Sequence, residues 1–80
     1  MKMLAVFKSR SQSLDCLAHL KRLGVPAQTV STPKDAGMGC GISIKFDSAA
    51  LPRVKLLLTK RPYSSFAGFM RERGMGFVFI

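Results

Sequence analysis

The chain holds two thiols, and only Cys40 has the surroundings that thiol chemistry needs. It stands in the run Ser31 to Gly41, S-T-P-K-D-A-G-M-G-C-G, between Gly39 and Gly41 and six residues after Lys34. A thiol reacts as its thiolate, and a nearby cation or a concave set of backbone N–H groups favours that form. Glycines on both sides free the backbone to supply such N–H groups, and Lys34 supplies the cation if the loop folds back on itself. The same residues also fit a plainer reading, a small buried side chain beside a tight turn. Residue types alone leave both readings standing.

Other candidates are poorer. Cys16 falls beside Leu20 and Leu23 on a helical wheel, which reads as core. Cys16-x-x-His19 has a metal-like spacing, but no second pair completes a tetrahedral site. His19, with Asp15 and Arg22 for neighbours, reads as solvated. Asp15, Asp35, Asp47 and Glu72 are scattered, so paired-carboxylate hydrolysis has no basis. Arg73 to Ile80, R-G-M-G-F-V-F-I, resembles the octamer of RNA-recognition motifs. Met75 and Ile80 stand where stacking aromatics belong, so the segment reads as a glycine-aromatic strand. No metal or cofactor is called for.

Local patterns supply the elements that must position Cys40. Met3 to Phe7 is an apolar run with the length of a buried strand. Ser9 followed by Gln12 is a capping-box pattern that starts a helix near Arg10. Leu14, Leu17, Ala18, Leu20 and Leu23 recur at helical spacing and predict its apolar face. Gly24 and Pro26 end it at Leu23. Val25 to Val30 reads as a second strand and Gly41 to Phe46 as a third, with Ile42, Ile44 and Phe46 on one face. Asp47 or Ser48 caps a second helix over Ala49 to Lys60, with Pro52 in its first turn and Leu51, Val54, Leu57 and Leu58 buried. Ser65 to Met70 is a fourth strand, Arg71 to Gly74 a polar turn, and Gly76 to Ile80 a fifth apolar segment. The order predicts one ferredoxin-like α+β domain over residues 1–80, a βαββαβ two-layer sandwich with a short extra β element and both helices on one face.

Eighty residues, nearly half of them apolar, suffice for one core without disulfide staples. The Met1 to Phe7 run is too short for a secretory signal, and no stretch approaches the ~20 apolar residues that span a bilayer. A cytoplasmic protein with reduced thiols and no membrane association is expected. Thirteen Lys and Arg against four Asp and Glu give a net charge of +9. That charge favours anionic partners, with weak, non-specific nucleic-acid binding among them. The bases are spread out, so no basic tail is present.

Phe7-Lys8-Ser9, Gly24-Val25-Pro26, Thr32-Pro33-Lys34 and Cys40-Gly41-Ile42 follow one another as a helix start, a helix exit, a turn and a strand start. In this order they resemble a small bacterial family described as Putative Se/S carrier protein-like, over about residues 3 to 60. The resemblance implies that Cys40 holds sulfur or selenium as a persulfide or perselenide. Lys34, Gly39, Gly41, Thr32 and Pro33 would then line the binding site. A protein donor or acceptor is the implied partner, and the class is a carrier or accessory protein rather than a turnover enzyme. The alternative from the residues is a non-catalytic binding module for RNA or an acidic protein, with Cys40 structural.

Overall fold

In the computed structural model, which describes residues 1–33 and 41–80, the first apolar run becomes the central strand β1 (Lys2–Phe7). Every residue from Met3 to Phe7 is buried, because both faces of this strand are covered. A strand buried on both faces reads as a continuous apolar run without alternation.

Helix α1 (Arg10–Arg22) follows, with Ser9 Oγ accepting the Gln12 amide at 3.3 Å as its N-cap. Its exit is a Schellman motif: Val25 N–H donates to Leu20 O, Gly24 N–H to Lys21 O, and Gly24 takes φ +77. Only glycine adopts that conformation without strain, so the sequence stop at Gly24 is met. The predicted apolar face needs correction. The buried line is Ser13, Cys16 and Leu20, with Leu17 half-buried, while Leu14 and Leu23 are 44% and 48% exposed and Ala18 is exposed. Ser13 can sit in this line because its hydroxyl donates to Arg10 O at 2.8 Å, which removes the penalty of burying it.

Strands β2 (Ala27–Ser31) and β3 (Ile42–Asp47) pair antiparallel, and β3 pairs antiparallel with β1. Asp47 Oδ1 accepts the Ala49 amide and caps a single 3-10 turn, Ser48–Ala50, which leads into α2 (Leu51–Lys60). Pro52 lies in the first turn of α2, where no intrahelical donor is lost. Val54 and Leu57 are buried, Leu51 and Leu58 pack beside them, and Leu56 is exposed to solvent.

Strand β4 (Phe66–Arg73) pairs with β1, and β5 (Gly76–Phe79) pairs with β4. The expected turn at Arg71 to Gly74 is shorter than its polarity suggests. Arg71, Glu72 and Arg73 belong to β4, paired with Val78, Phe77 and Gly76, and the chain reverses at Gly74, with φ +60, and Met75. Charged residues are tolerated there because these strands lie toward the border of the sheet.

The whole is an α+β arrangement of two helices and a five-stranded antiparallel sheet in the order β2-β3-β1-β4-β5. Cys16 and Leu20 of α1 and Val54 and Leu57 of α2 join Met3, Ala5, Phe7, Ile44 and Phe46 in one cluster, so both helices cover the same sheet face. Burying each such large side chain contributes about 1.5–3 kcal/mol. On the opposite face Leu4, Val6 and Met70 form a second buried cluster with Val30 and Phe77 against it. No helix among the described residues is long and apolar enough to cross a membrane.

Candidate functional site

The end of β2 and the start of β3 form the base from which the cysteine-bearing segment departs. Ser31 pairs with Ile42, and Thr32 N–H donates to Gly41 O at 3.0 Å, so the antiparallel ladder runs one pair beyond the strands. In sequence, residues 34–40 join the two sides of this base. Lys34, Gly39 and Cys40, three of the sequence-predicted site residues, lie outside the described residues. Thr32 and Gly41 are described and brought together here, with Pro33 next to Thr32 in the chain.

Close packing favours the glycine at 41. A Cβ on Gly41 would lie 3.0 Å from Thr32 Oγ1 and 3.3 Å from Phe7 O. A side chain here would press on the Thr32 hydroxyl and the β1 backbone, which would have to give by a few tenths of an ångström. The hydroxyl is itself fixed: Thr32 Oγ1 and Ser43 Oγ are 2.8 Å apart, with both residues buried. This pair stands among Val6 and Val30, opposite Ser43 on the neighbouring strands. A buried hydroxyl without a partner is destabilising, so each one holds the other in place.

Ser43 is the residue that sequence reasoning missed. Alternation along the third strand put it on the polar side with Lys45, yet it is fully buried. The only signal available was that two hydroxyl residues, Thr32 and Ser43, lie on facing strands close to the turn.

The same end of the sheet gathers the turn after β1 and the start of β4. Lys8 N–H donates to Ser65 O at 3.0 Å. Gln12 Oε1 accepts from the Ser65 amide at 2.9 Å and its hydroxyl at 2.7 Å, and Gln12 Nε2 donates to Ser64 Oγ at 3.0 Å. Gln12 therefore ties α1 to the connection before β4 with its side chain. Lys8 and Arg10 are exposed at this end, and neither has a carboxylate within 4.0 Å among the described residues.

Farther along α1 the remaining candidates serve structure. Cys16 is buried in the core, and desolvation together with the neighbouring Asp15 charge pushes its thiol up to about 11. Asp15 Oδ2 accepts from Tyr63 Oη at 2.6 Å and from Arg61 at 3.2 Å, with His19 Nε2 at 3.6 Å. The Tyr63 hydroxyl, then Arg61, hold the Asp15 carboxyl below its ordinary range, while burial raises the Tyr63 phenol. Tyr63 packs edge-on against Phe7, with ring centroids 5.5 Å apart, so the cluster pins α1 to the segment after α2. His19 is engaged here, nine residues and about 13 Å of helix rise from Arg10. No group of three His, Cys, Asp or Glu able to hold a metal occurs among the described residues.

A cavity of about 350 Å³, lined by Lys2, Pro26, Ala27, Gln28, Lys45 and Phe46, lies at the far end of the sheet from Thr32 and Gly41. A smaller one of about 200 Å³, lined by Thr29, Val30, Ser31 and Ile42, borders the loop base.

Residues 2–65 match the family model described as Putative Se/S carrier protein-like. The chain belongs to this family. The match to the Se/S carrier family takes in β1, α1, β2, β3, α2 and the closed base at Thr32 and Gly41. It stops immediately before β4, so the β4–β5 hairpin lies outside the matched residues. No curated protein and no solved structure matches the sequence.

Proposed function

We propose that this protein is a sulfur or selenium carrier that holds the chalcogen on Cys40 and passes it to a partner protein. The observation that carries the reading is the family match, which spans Thr32-Pro33-Lys34 and Cys40-Gly41-Ile42. The closed base supports it: Cys40 is one peptide bond from Gly41, whose carbonyl accepts the Thr32 amide at 3.0 Å. Lys34 follows directly on Pro33 at the other side of that base and would favour the thiolate. Gly39 and Gly41 would allow a donor to approach closely. A β2-β3-β1-β4 order with both helices on one face fits a ferredoxin-like frame to which β5 is added at the border. A cytoplasmic setting, with thiols kept reduced, is part of this reading.

The step requires no cofactor. The Cys40 thiolate attacks the terminal sulfur of a donor persulfide. A new bond forms between Cys40 Sγ and that sulfur, the donor S–S bond breaks, and the donor leaves as a thiolate. The transferred atom keeps its proton, so Cys40–S–SH and donor–S⁻ are the products, with no net oxidation. A perselenide transfers selenium in the same way. The basic surface suits an acidic donor or acceptor protein.

The test is intact-mass spectrometry after incubation with cysteine persulfide. One added sulfur on the wild type and on Cys16→Ser, but none on Cys40→Ser, is the expected result. If Cys40→Ser still gains the sulfur, or if the wild type gains none, Cys40 is a packing residue and the carrier reading falls.

A further inference from the structure

The β4–β5 hairpin adds a different property. Without β5, the sheet would end on β4, whose last residues Arg71, Glu72 and Arg73 are all charged. Charges on a border strand are a common guard against pairing with another chain. β5 covers that strand and carries no charge: Gly76, Phe77, Val78 and Phe79. Met75 is fully exposed, Phe79 is 43% exposed and Ile80 62%. The other border, β2, is flanked by Pro26 and Pro33, and its exposed side chains Gln28, Thr29 and Ser31 are polar.

The hydrogen-bond phase of β5 follows from one bond. Ile80 N–H donates to Phe69 O at 3.1 Å, which makes Phe69 and Ile80 a bonded pair. Bonded and non-bonded pairs alternate along an antiparallel ladder. Arg71 with Val78 and Arg73 with Gly76 are thus bonded pairs, whereas Phe77 and Phe79, opposite Glu72 and Met70, turn their N–H and C=O groups outward. The outward groups sit two residues apart on either side of Val78.

We propose that β5 pairs with β5 of a second copy of this chain, antiparallel, about a two-fold axis through Val78. In that register Phe77 faces Phe79 of the copy and Phe79 faces Phe77. All four outward groups on each strand are satisfied by four interchain hydrogen bonds. Phe77 and Phe79 share one sheet face, so the two strands bring their aromatic side chains together as cross-strand pairs. Val78 meets Val78 on the other face, and the two sheets continue as one of ten strands. The contact is isologous and closes at two copies. A junction of single short strands covers less than the roughly 1,200–2,000 Å² of a stable interface. The dimer is therefore weak, and salt strengthens it by screening the +9 charge on each copy.

Sedimentation equilibrium up to millimolar concentration, at low and high salt, reads the association directly. Amide exchange followed by NMR reads its place. The wild type should dimerise, more tightly at high salt, with protection of the Phe77 and Phe79 amides rising with concentration and that of Thr29 and Ser31 unchanged. Val78→Lys and Val78→Glu each place like charges face to face across the axis, and each should weaken dimerisation about tenfold or more. Mixing the two variants should restore it, a result that a misfolded variant cannot give. A wild type monomeric throughout, growth beyond dimers, protection at Thr29 and Ser31, or a mixture no tighter than its components would each overturn the proposal.

Discussion

Thr32 Oγ1 lies 2.8 Å from Ser43 Oγ and would lie 3.0 Å from a Cβ on Gly41, so one hydroxyl both bridges β2 to β3 and closes the space beside residue 41. The base of the Cys40-bearing segment is thus set by two small hydroxyl side chains and a glycine.

Gly41→Ala should therefore destabilise the protein by about 1–3 kcal/mol, the usual range for forcing extra volume into a packed site. The positive-φ argument does not apply, since Gly41 is not among the glycines with positive φ. The cost is steric, so it should shrink in a Thr32→Ala background, where the nearest atom is gone but Phe7 O remains at 3.3 Å. Urea denaturation of the two single variants and the double variant measures this coupling. Strictly additive losses would mean that Thr32 is not what excludes the side chain.

Leu20→Ala should cost about 2–5 kcal/mol, the range for truncating a buried leucine. Leu14→Ala should stay within about 0.5 kcal/mol, as expected at an exposed position. Leu20 is fully buried between the sheet and the C-terminal turn of α1, while Leu14 is 44% exposed. Thermal or chemical denaturation distinguishes the two, and equal losses would contradict the packing of α1.

This contrast shows how far the sequence could be read. The stop at Gly24 was legible because it rests on local chemistry, and the stripe of α2 because its period is regular. Asp47, one of two caps offered for the helix, instead caps the 3-10 turn Ser48–Ala50, and α2 begins at Leu51. The face of α1 was misjudged because hydrophobicity favours Leu14 and Leu23 over Ser13. The helix approaches the sheet along Ser13, Cys16 and Leu20, small residues with one long anchor. A serine that satisfies its own hydroxyl within the helix is indistinguishable in sequence from a solvated one. Ser43 was hidden for a similar reason: its partner Thr32 is eleven residues away, on another strand. Nothing local marks Arg71 to Arg73 as strand either. Their pairing with Val78, Phe77 and Gly76 is what extends β4.

The last prediction concerns the thiol that the carrier reading leaves aside. Cys16 is fully buried, and desolvation followed by the Asp15 charge raises its pKa from the ordinary 9.0 to about 11. The folded state thus holds this proton more tightly than the unfolded chain does. The resulting stability is fully present below pH 9.0 and is lost as the pH rises through about 11, because the unfolded thiol ionises first. Plotted against pH, the wild type should lose stability over this window faster than Cys16→Ala. Tyr63, whose phenol the Cys16 charge helps to raise, titrates in the same window, so the comparison is made in a Tyr63→Phe background. At neutral pH an alkylating reagent should reach Cys16 only on unfolding, since the neutral, buried thiol is neither nucleophilic nor accessible. Parallel stability curves for the two proteins between pH 9.0 and about 11, or ready alkylation of Cys16 in the native protein, would show that this thiol is not held in the core.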